Sequence, residues 1–246
     1  MLNTYSSIIL IVLCLLTVHS IHAQNYSNSS NNSPNLKITN DITTSLSYKF
    51  EPFLLLNGTV FKDISHDDNF SLVNFTIAAW IRTNQTNQTT IADHAHIVNK
   101  GGFNSEDMGK NMNYGIWLSK NGNIQGGFET ESGKNLQVSS PIKYNDGKWH
   151  YVLLTYNGSL LRLDLDGKQI STKNTNGAIP ATAGEQPLRI GANSLDKDKF
   201  YNGSIDEIRI WNRGLTDSEI SQIYTKGIFN TTGQLLYLEV PKLFLR

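Results

Sequence analysis

DGKWHYVLLTYNGSLLRLDLDGKQI, residues 146–170, holds three consecutive strands together with the turns that join them. Trp149 to Tyr156 is apolar on both faces, as a strand covered from two sides must be. Leu161, Leu163 and Leu165 alternate with Arg162, Asp164 and Asp166, the period-two pattern of a strand buried on one side only. Asn157-Gly158 and Asp166-Gly167 supply the joints. Both central positions of a tight two-residue hairpin turn need positive φ, which Gly adopts freely and Asn or Asp tolerate better than other residues. The stretch therefore predicts an antiparallel meander.

The N-terminal residues predict export. Met1 to Ala23 opens with polar residues, continues through an unbroken apolar run from Ile8 to Leu16, and closes on small residues before Gln24. This is the form of a secretory signal cleaved after Ala23, although it carries no Lys or Arg. The apolar run is well short of the roughly 20 residues that span a bilayer, which sets the signal ahead of an uncleaved anchor. No other segment could span one. Cys14, the single cysteine, falls inside this leader, so the mature chain is expected to be thiol-free and held by its core. Gln24 to Asn35 is almost wholly Asn, Ser and Gln, and reads as a solvated arm; the expected division is signal 1–23, arm 24–47 and domain 48–246.

Lys plus Arg number 21 and Asp plus Glu 21, and the leader contains none of them, so the exported chain is formally neutral. That removes the electrostatic reason to expect nucleic acid or an anionic membrane as a partner. Asn-x-Ser/Thr triplets start at Asn25, Asn28, Asn31, Asn57, Asn69, Asn74, Asn84, Asn87, Asn157, Asn202 and Asn230. Behind an export signal they make glycosylation of several an expectation. For Asn57, Asn157 and Asn202, each followed by Gly, turn chemistry is the stronger reading.

Strand-like runs separated by turn residues recur from about Tyr48: Phe53–Leu56, Val60–Ile64, Phe75–Thr83, His96–Lys100, Tyr114–Lys120, Asn123–Thr130, Leu136–Ser139, Trp149–Tyr156, Ser159–Asp166, Lys168–Thr172, Pro187–Ala192 and Ser204–Trp211. One short helix is predicted. Thr216-Asp217-Ser218-Glu219 forms a capping box, followed by Ile220, Ile223 and Tyr224 on one face and a stop by Gly227. Leu235 to Phe244 is apolar enough to add a last strand or to pack outside. Many short strands, no repeat period and no alternating helices predict an all-β, two-sheet antiparallel sandwich.

With its strands placed, the chain resembles the laminin-G-like, concanavalin A-like lectin/glucanase superfamily, and within it the jellyroll branch related to pentraxins. Four blocks carry the resemblance: NFTIAAWIRT at 74–83, HIVNKGG at 96–102, the stretch 146–170, and PLRIGAN with YNGSIDEIRIWNRGLTDSEI at 187–193 and 201–220. The resemblance implies a jellyroll with a curved sheet and a concave face. It leaves the activity open, because similar folds serve as lectins, adhesive modules, non-catalytic appendages and glycosidases.

The resemblance also implies sites. In pentraxin-like relatives the loop preceding the G-x-I-D block supplies calcium ligands, which here places Asn193, Asp196 and Asp198 in that role, with Asp93 in a second ligand segment. Oxygen donors of this kind suit calcium. Lys197 and Lys199 bring opposing charge, and isolated Asp pairs are common in loops, so on the residues alone a solvated loop outweighs a metal. Asp206 matches a position where related glucanase folds hold a structural calcium; its alternation with Ile205, Ile208 and Ile210 equally suits a carboxylate that ties a loop by hydrogen bonds. His94 and His96 would share a strand face beside Asp93, yet a tetrahedral zinc site needs three or four ligands.

Glu129 and Glu131 would project from one strand face, about 6.5 to 7 Å apart at Cα, a separation that does not exclude glycoside hydrolysis. Glucanase relatives carry a tighter three-carboxylate cluster; here Thr130 takes the central place and the third acid is missing, so exposed strand carboxylates are the expectation. Trp80, Trp149 and Trp211 fall inside strand blocks and read as packing residues, whereas Tyr114 and Tyr201, near strand ends, read as a ligand rim. The expected function is a secreted or cell-surface, non-catalytic module that binds a glycan or glycosylated partner, with calcium as a candidate cofactor. The alternatives are a glycoside hydrolase of the same fold and a structural or adhesive surface protein.

Overall fold

The computed structural model describes residues 53–84, 94–102, 111–227 and 232–238. The chain divides into two units, Met1–Lys49 and Phe50–Arg246, and all described residues belong to the second. The expected leader and arm lie outside them.

Two antiparallel sheets are present. The first runs β1 (Leu54–Asn57), β12 (Asn202–Trp211), β3 (Phe75–Arg82), β8 (Trp149–Tyr156), β9 (Leu160–Leu165) and β10 (Lys168–Asn174), with β13 (Gln234–Leu238) beside the second half of β12. The second runs β2 (Lys62–Ile64), β11 (Leu188–Ile190), β4 (His94–Lys100), β5 (Tyr114–Ser119), β6 (Asn123–Glu129) and β7 (Asn135–Lys143). The meander read from residues 146–170 is β8-β9-β10. Leu161, Leu163 and Leu165 are each at most 1% exposed. They face Ile77 and Ile81 of β3, Val152 and Leu154 of β8, and Ile116, Ile124 and Phe128 of the second sheet in one apolar core. Each such side chain contributes about 1.5–3 kcal/mol by leaving water.

The two turns differ from each other. Asp166 and Gly167 both take positive φ, 52° and 73°, as a tight two-residue hairpin requires. At the other joint only Gly158 does, at 95°, because β8 and β9 are separated by three residues and the Asn157 carboxamide oxygen accepts the Ser159 and Leu160 N–H groups at 3.1 and 2.9 Å.

Trp149 to Tyr156 is apolar on both faces because both are covered over most of its length. Its outer side packs in a second cluster of Ala78, Tyr151, Leu153 and Trp211 with Leu215, Ile220 and Ile223. The last two belong to α1 (Asp217–Lys226). Thr216 and Glu219 close the expected capping box, and Gly227 ends the helix in the left-handed conformation. Leu235–Phe244 becomes the short β13 only as far as Leu238; the remainder lies outside the described residues. No helix among the described residues is long and apolar enough to cross a membrane.

Candidate functional site

α1 covers only part of the first sheet's outer face. Beyond it lies a row of side chains crossing four strands: Leu55 of β1 opposite Ser204 of β12, Ser204 opposite Arg82 of β3, and Arg82 opposite Trp149 of β8. Their strand neighbours Ile205 and Ile81 are fully buried on the inner side, so by the two-residue alternation this row faces outward. Leu55 is 67% exposed and Phe53, just before β1, 36%.

Trp149 is half-buried and meets Phe53 edge to face, with ring centroids 5.7 Å apart. The Arg82 guanidinium lies 5.1 Å from the Phe53 centroid and 5.0 Å from that of Trp149. A cation in this position is attracted by the negative ring faces. Among the described residues its one hydrogen bond is a long one, from Nη2 to Ser204 Oγ at 3.4 Å, and Arg82 makes no ion pair there. In the neighbouring row Trp80 and Tyr151 sit 5.1 Å apart, and each stacks on Tyr224 of α1 at 6.0 Å. The exposed platform is thus continuous with an aromatic cluster that anchors the helix.

This corrects the expectation for the aromatic residues. Trp149 is a partly exposed surface ring rather than a core packing residue, because α1 ends its cover at Tyr151. Tyr114 and Tyr201 are 0% exposed and lie in the main core, so neither ring can form a ligand rim. Burial also raises both phenols above their ordinary range. Trp211 packs as expected.

The carboxylates are also placed otherwise. β6 ends at Glu129, which is fully buried and whose Oε2 accepts the Met112 N–H at 2.9 Å. Glu131 lies beyond the strand, its Oε1 accepting the N–H groups of Thr182 and Ala183 at 2.6 and 2.9 Å. Neither is an exposed strand carboxylate, and each is engaged by backbone donors rather than aimed into a cleft.

Asn193, Asp196 and Asp198 do not fit a calcium cage. The Asn193 side-chain oxygen accepts the Leu195 N–H at 3.1 Å, and its carbonyl accepts Lys197 N–H at 3.2 Å and the cationic Arg189 Nη1 at 2.6 Å. Asp196 is exposed, and only Asp198 offers a buried oxygen, Oδ1, without a hydrogen-bond partner. Asp206 is 9% exposed and sits at a bulge of β12, with Oδ1 accepting the N–H of the next residue in the strand, Glu207, at 2.8 Å. Asp93 lies outside the described residues.

His96 is buried against Trp117, with ring centroids 6.0 Å apart. Burial, helped by Lys199 and His94, pushes its pKa down to about 3, so the ring is neutral. Among the described residues no group of three or more His, Cys, Asp or Glu side chains could hold a metal ion. Asn111 Oδ1 and Glu131 Oε2 are among the buried oxygens without a hydrogen-bond partner. The two residues are joined through other atoms, Asn111 Nδ2 donating to the Glu131 carbonyl at 3.1 Å.

The chain is similar to known proteins in sequence and in structure. Mouse (Mus musculus) Pappalysin-1 is 27% identical over 175 residues, 67% of this chain and 10% of that protein. Human (Homo sapiens) Pappalysin-1 is 30% identical over 106 residues, 42% of this chain and 6% of that protein. The chain therefore spans a tenth or less of these relatives. Among solved structures, a heptameric SAP-like pentraxin from Limulus polyphemus aligns with TM-score 0.47 at 13% identity, covering 70% of this chain and 80% of that one. The binding domain of Paraclostridial Mosquitocidal Protein 1 aligns with TM-score 0.48 at 17% identity, covering 71% and 47%. A laminin G family model, described as the concanavalin A-like lectin/glucanases superfamily, matches residues 59–221, and the chain belongs to that family.

Proposed function

We propose that this domain is a secreted or cell-surface, non-catalytic module that binds carbohydrate on the platform of Phe53, Arg82 and Trp149. The observation that carries this reading is the Trp149–Phe53 pair, half-buried and exposed, held at 5.7 Å beside a guanidinium that makes no ion pair among the described residues. Sugar rings have apolar C–H faces that stack on aromatic rings, and their hydroxyls suit fixed polar donors at the edge of such a platform. The non-catalytic part is supported by Glu129 and Glu131, the carboxylate pair suited to hydrolysis, both committed to backbone N–H groups. The leader at residues 1–23 supports export.

Calcium belongs to this proposal at a different place from the 193–198 loop. Asn111 and Glu131, joined by the Asn111 Nδ2 bond to the Glu131 carbonyl, each carry a sealed side-chain oxygen without a partner, Oδ1 and Oε2, and oxygens of this kind are the hard donors that calcium takes. The ion's part there is to brace the end of β6 and the segment around Thr182.

The test is binding of the full chain to a glycan array, with calcium and with chelator, beside Trp149→Ala. Specific binding lost in the variant, which keeps its strand circular dichroism, is the expected result. A folded chain that binds no glycan in either condition overturns the proposal.

A further inference from the structure

We infer that the saccharide taken by this platform is acidic, a glycan bearing carboxylate or sulfate groups, with Arg82 as its anion-binding residue. The inference rests on the carbohydrate reading above and narrows it to one ligand class.

Three features of Arg82 point this way. First, it is a permanent cation with five N–H donors, of which the described protein uses one, and weakly, at 3.4 Å to Ser204 Oγ. Second, the residue is only half-buried, and neither Nε nor Nη1 is among the side-chain nitrogens sealed without a partner. Third, the side chain is held, lying 5.1 and 5.0 Å from two ring centroids. An arginine fixed in this way has already given up much of the rotamer freedom that binding an anion would otherwise cost. Its planar fork matches a carboxylate or sulfate in bidentate geometry.

Among the described residues, three acids of the adjoining strands and turn are engaged elsewhere. Asp206 lies one row away, opposite Trp80, with Oδ1 on the Glu207 N–H. Glu207 Oε2 pairs with Arg209 Nη2 at 2.7 Å. Asp146 is bonded to His150 at 3.0 Å and lies 3.3 Å from the exposed Lys148 ammonium. A guanidinium with donors to spare, beside one exposed and one half-buried ring, is complementary to a sugar with a stacking face and an anionic edge. A neutral sugar would leave that cation without an anionic partner.

The test uses the full chain and three oligosaccharides: tetragalacturonate, which carries only carboxylates, a heparin tetrasaccharide, which adds sulfates, and neutral cellotetraose. Affinity by calorimetry is measured for the wild type, Arg82→Gln, Arg82→Lys and Trp149→Phe, each checked for unchanged thermal midpoint. At least one acidic probe is expected to bind about tenfold or more tighter than cellotetraose and to lose that margin in Arg82→Gln. Arg82→Lys should recover part of it, and Trp149→Phe should keep most of it. Raising salt from about 50 to 500 mM should weaken the acidic probe and not the neutral one. The two acidic arms distinguish carboxylate from sulfate. Acidic binding unchanged in Arg82→Gln overturns the inference. Cellotetraose binding as tightly as the acidic probes overturns it while leaving the carbohydrate reading standing, and a folded chain that binds none of the three overturns both.

Discussion

His150 Nδ1 and Asp166 Oδ2 are joined at 2.8 Å, tying the start of β8 to the turn after β9. The other ring nitrogen, Nε2, reaches Asp146 Oδ1 at 3.0 Å, so one imidazole bridges two carboxylates, with Tyr144 edge-on at 4.9 Å and Lys148 beside Asp146. Burial opposes a proton on His150, but the bonds to Asp166 and Asp146 outweigh it and raise the pKa. The same His150 bond, with the Lys148 N–H, holds the Asp146 carboxyl well below the usual carboxylate range.

A raised histidine contributes stability that is complete below its unfolded value, about 6.5, and that fades as pH rises through the folded value. A depressed carboxylate contributes above its unfolded value, about 3.9, and fades only as pH falls through the lower folded one. The clamp is therefore strongest between about pH 4 and 6.5. The thermal-midpoint difference between wild type and His150→Gln should be largest near pH 5 to 6 and shrink toward pH 9. A difference constant across that range would show that the imidazolium is not what holds the turn.

Gly167 and Gly177 make a matched pair for testing how α1 sits. Both have positive φ, 73° and 76°, so alanine at either costs about 1–2 kcal/mol of backbone strain. A Cβ at Gly177 meets nothing within 4 Å, whereas at Gly167 it would lie 2.5 Å from Tyr224 Cδ1. Urea unfolding should find Gly167→Ala the more costly by roughly a further 1–3 kcal/mol. Equal losses would mean that the helix yields freely at Tyr224.

The strands were legible because alternation reports which face of a strand is apolar; Leu161, Leu163 and Leu165 needed nothing else. Alternation does not report what lies on that face. Trp149, Tyr151 and Leu153 share one side of β8, yet α1 covers the last two and leaves the first half-exposed. The Arg82–Trp149 contact depends on the pairing of β3 with β8, between residues far apart in the chain. Glu131 found its partners in Thr182 and Ala183, equally distant, so its exposure could not be read locally. Tyr114 and Tyr201 stand close to turns, and position near a strand end resembled a rim until the sheets closed over them.

The cap of α1 should show its own acid sensitivity. Arg213 donates to both oxygens of Glu219, Nη2 to Oε1 at 2.5 Å and Nη1 to Oε2 at 2.9 Å. Chiefly through that pair, with the Thr216 N–H adding to it, the Glu219 carboxyl is brought down to about 2. Its contribution is present above the ordinary glutamate range, near pH 4.3, and is lost as pH falls toward about 2. Thr216→Ala should cost about 1 kcal/mol at neutral pH. Glu219→Gln should be destabilising at pH 6, and its deficit in thermal midpoint should close between about pH 4 and 2. A deficit that persists at pH 2 would place its origin outside the carboxylate.

Tyr114 and Trp149 should respond to substitution in opposite ways. The Tyr114 ring packs 5.5 Å from Phe75 in the main core, and its hydroxyl is sealed from solvent without a hydrogen-bond partner. A buried hydroxyl that makes no bond carries a desolvation cost of about 1–3 kcal/mol, so Tyr114→Phe removes the costly atom and keeps the ring. The expected result is a thermal midpoint unchanged or raised, with saccharide affinity unaltered, since a residue 0% exposed cannot reach a ligand. Trp149→Ala, by contrast, removes a partly exposed ring from the platform and should abolish saccharide binding at modest cost in stability. A clear loss of stability in Tyr114→Phe would reveal an internal water on the hydroxyl. A loss of binding there with stability intact would return the ligand site to the strand end that the core now encloses.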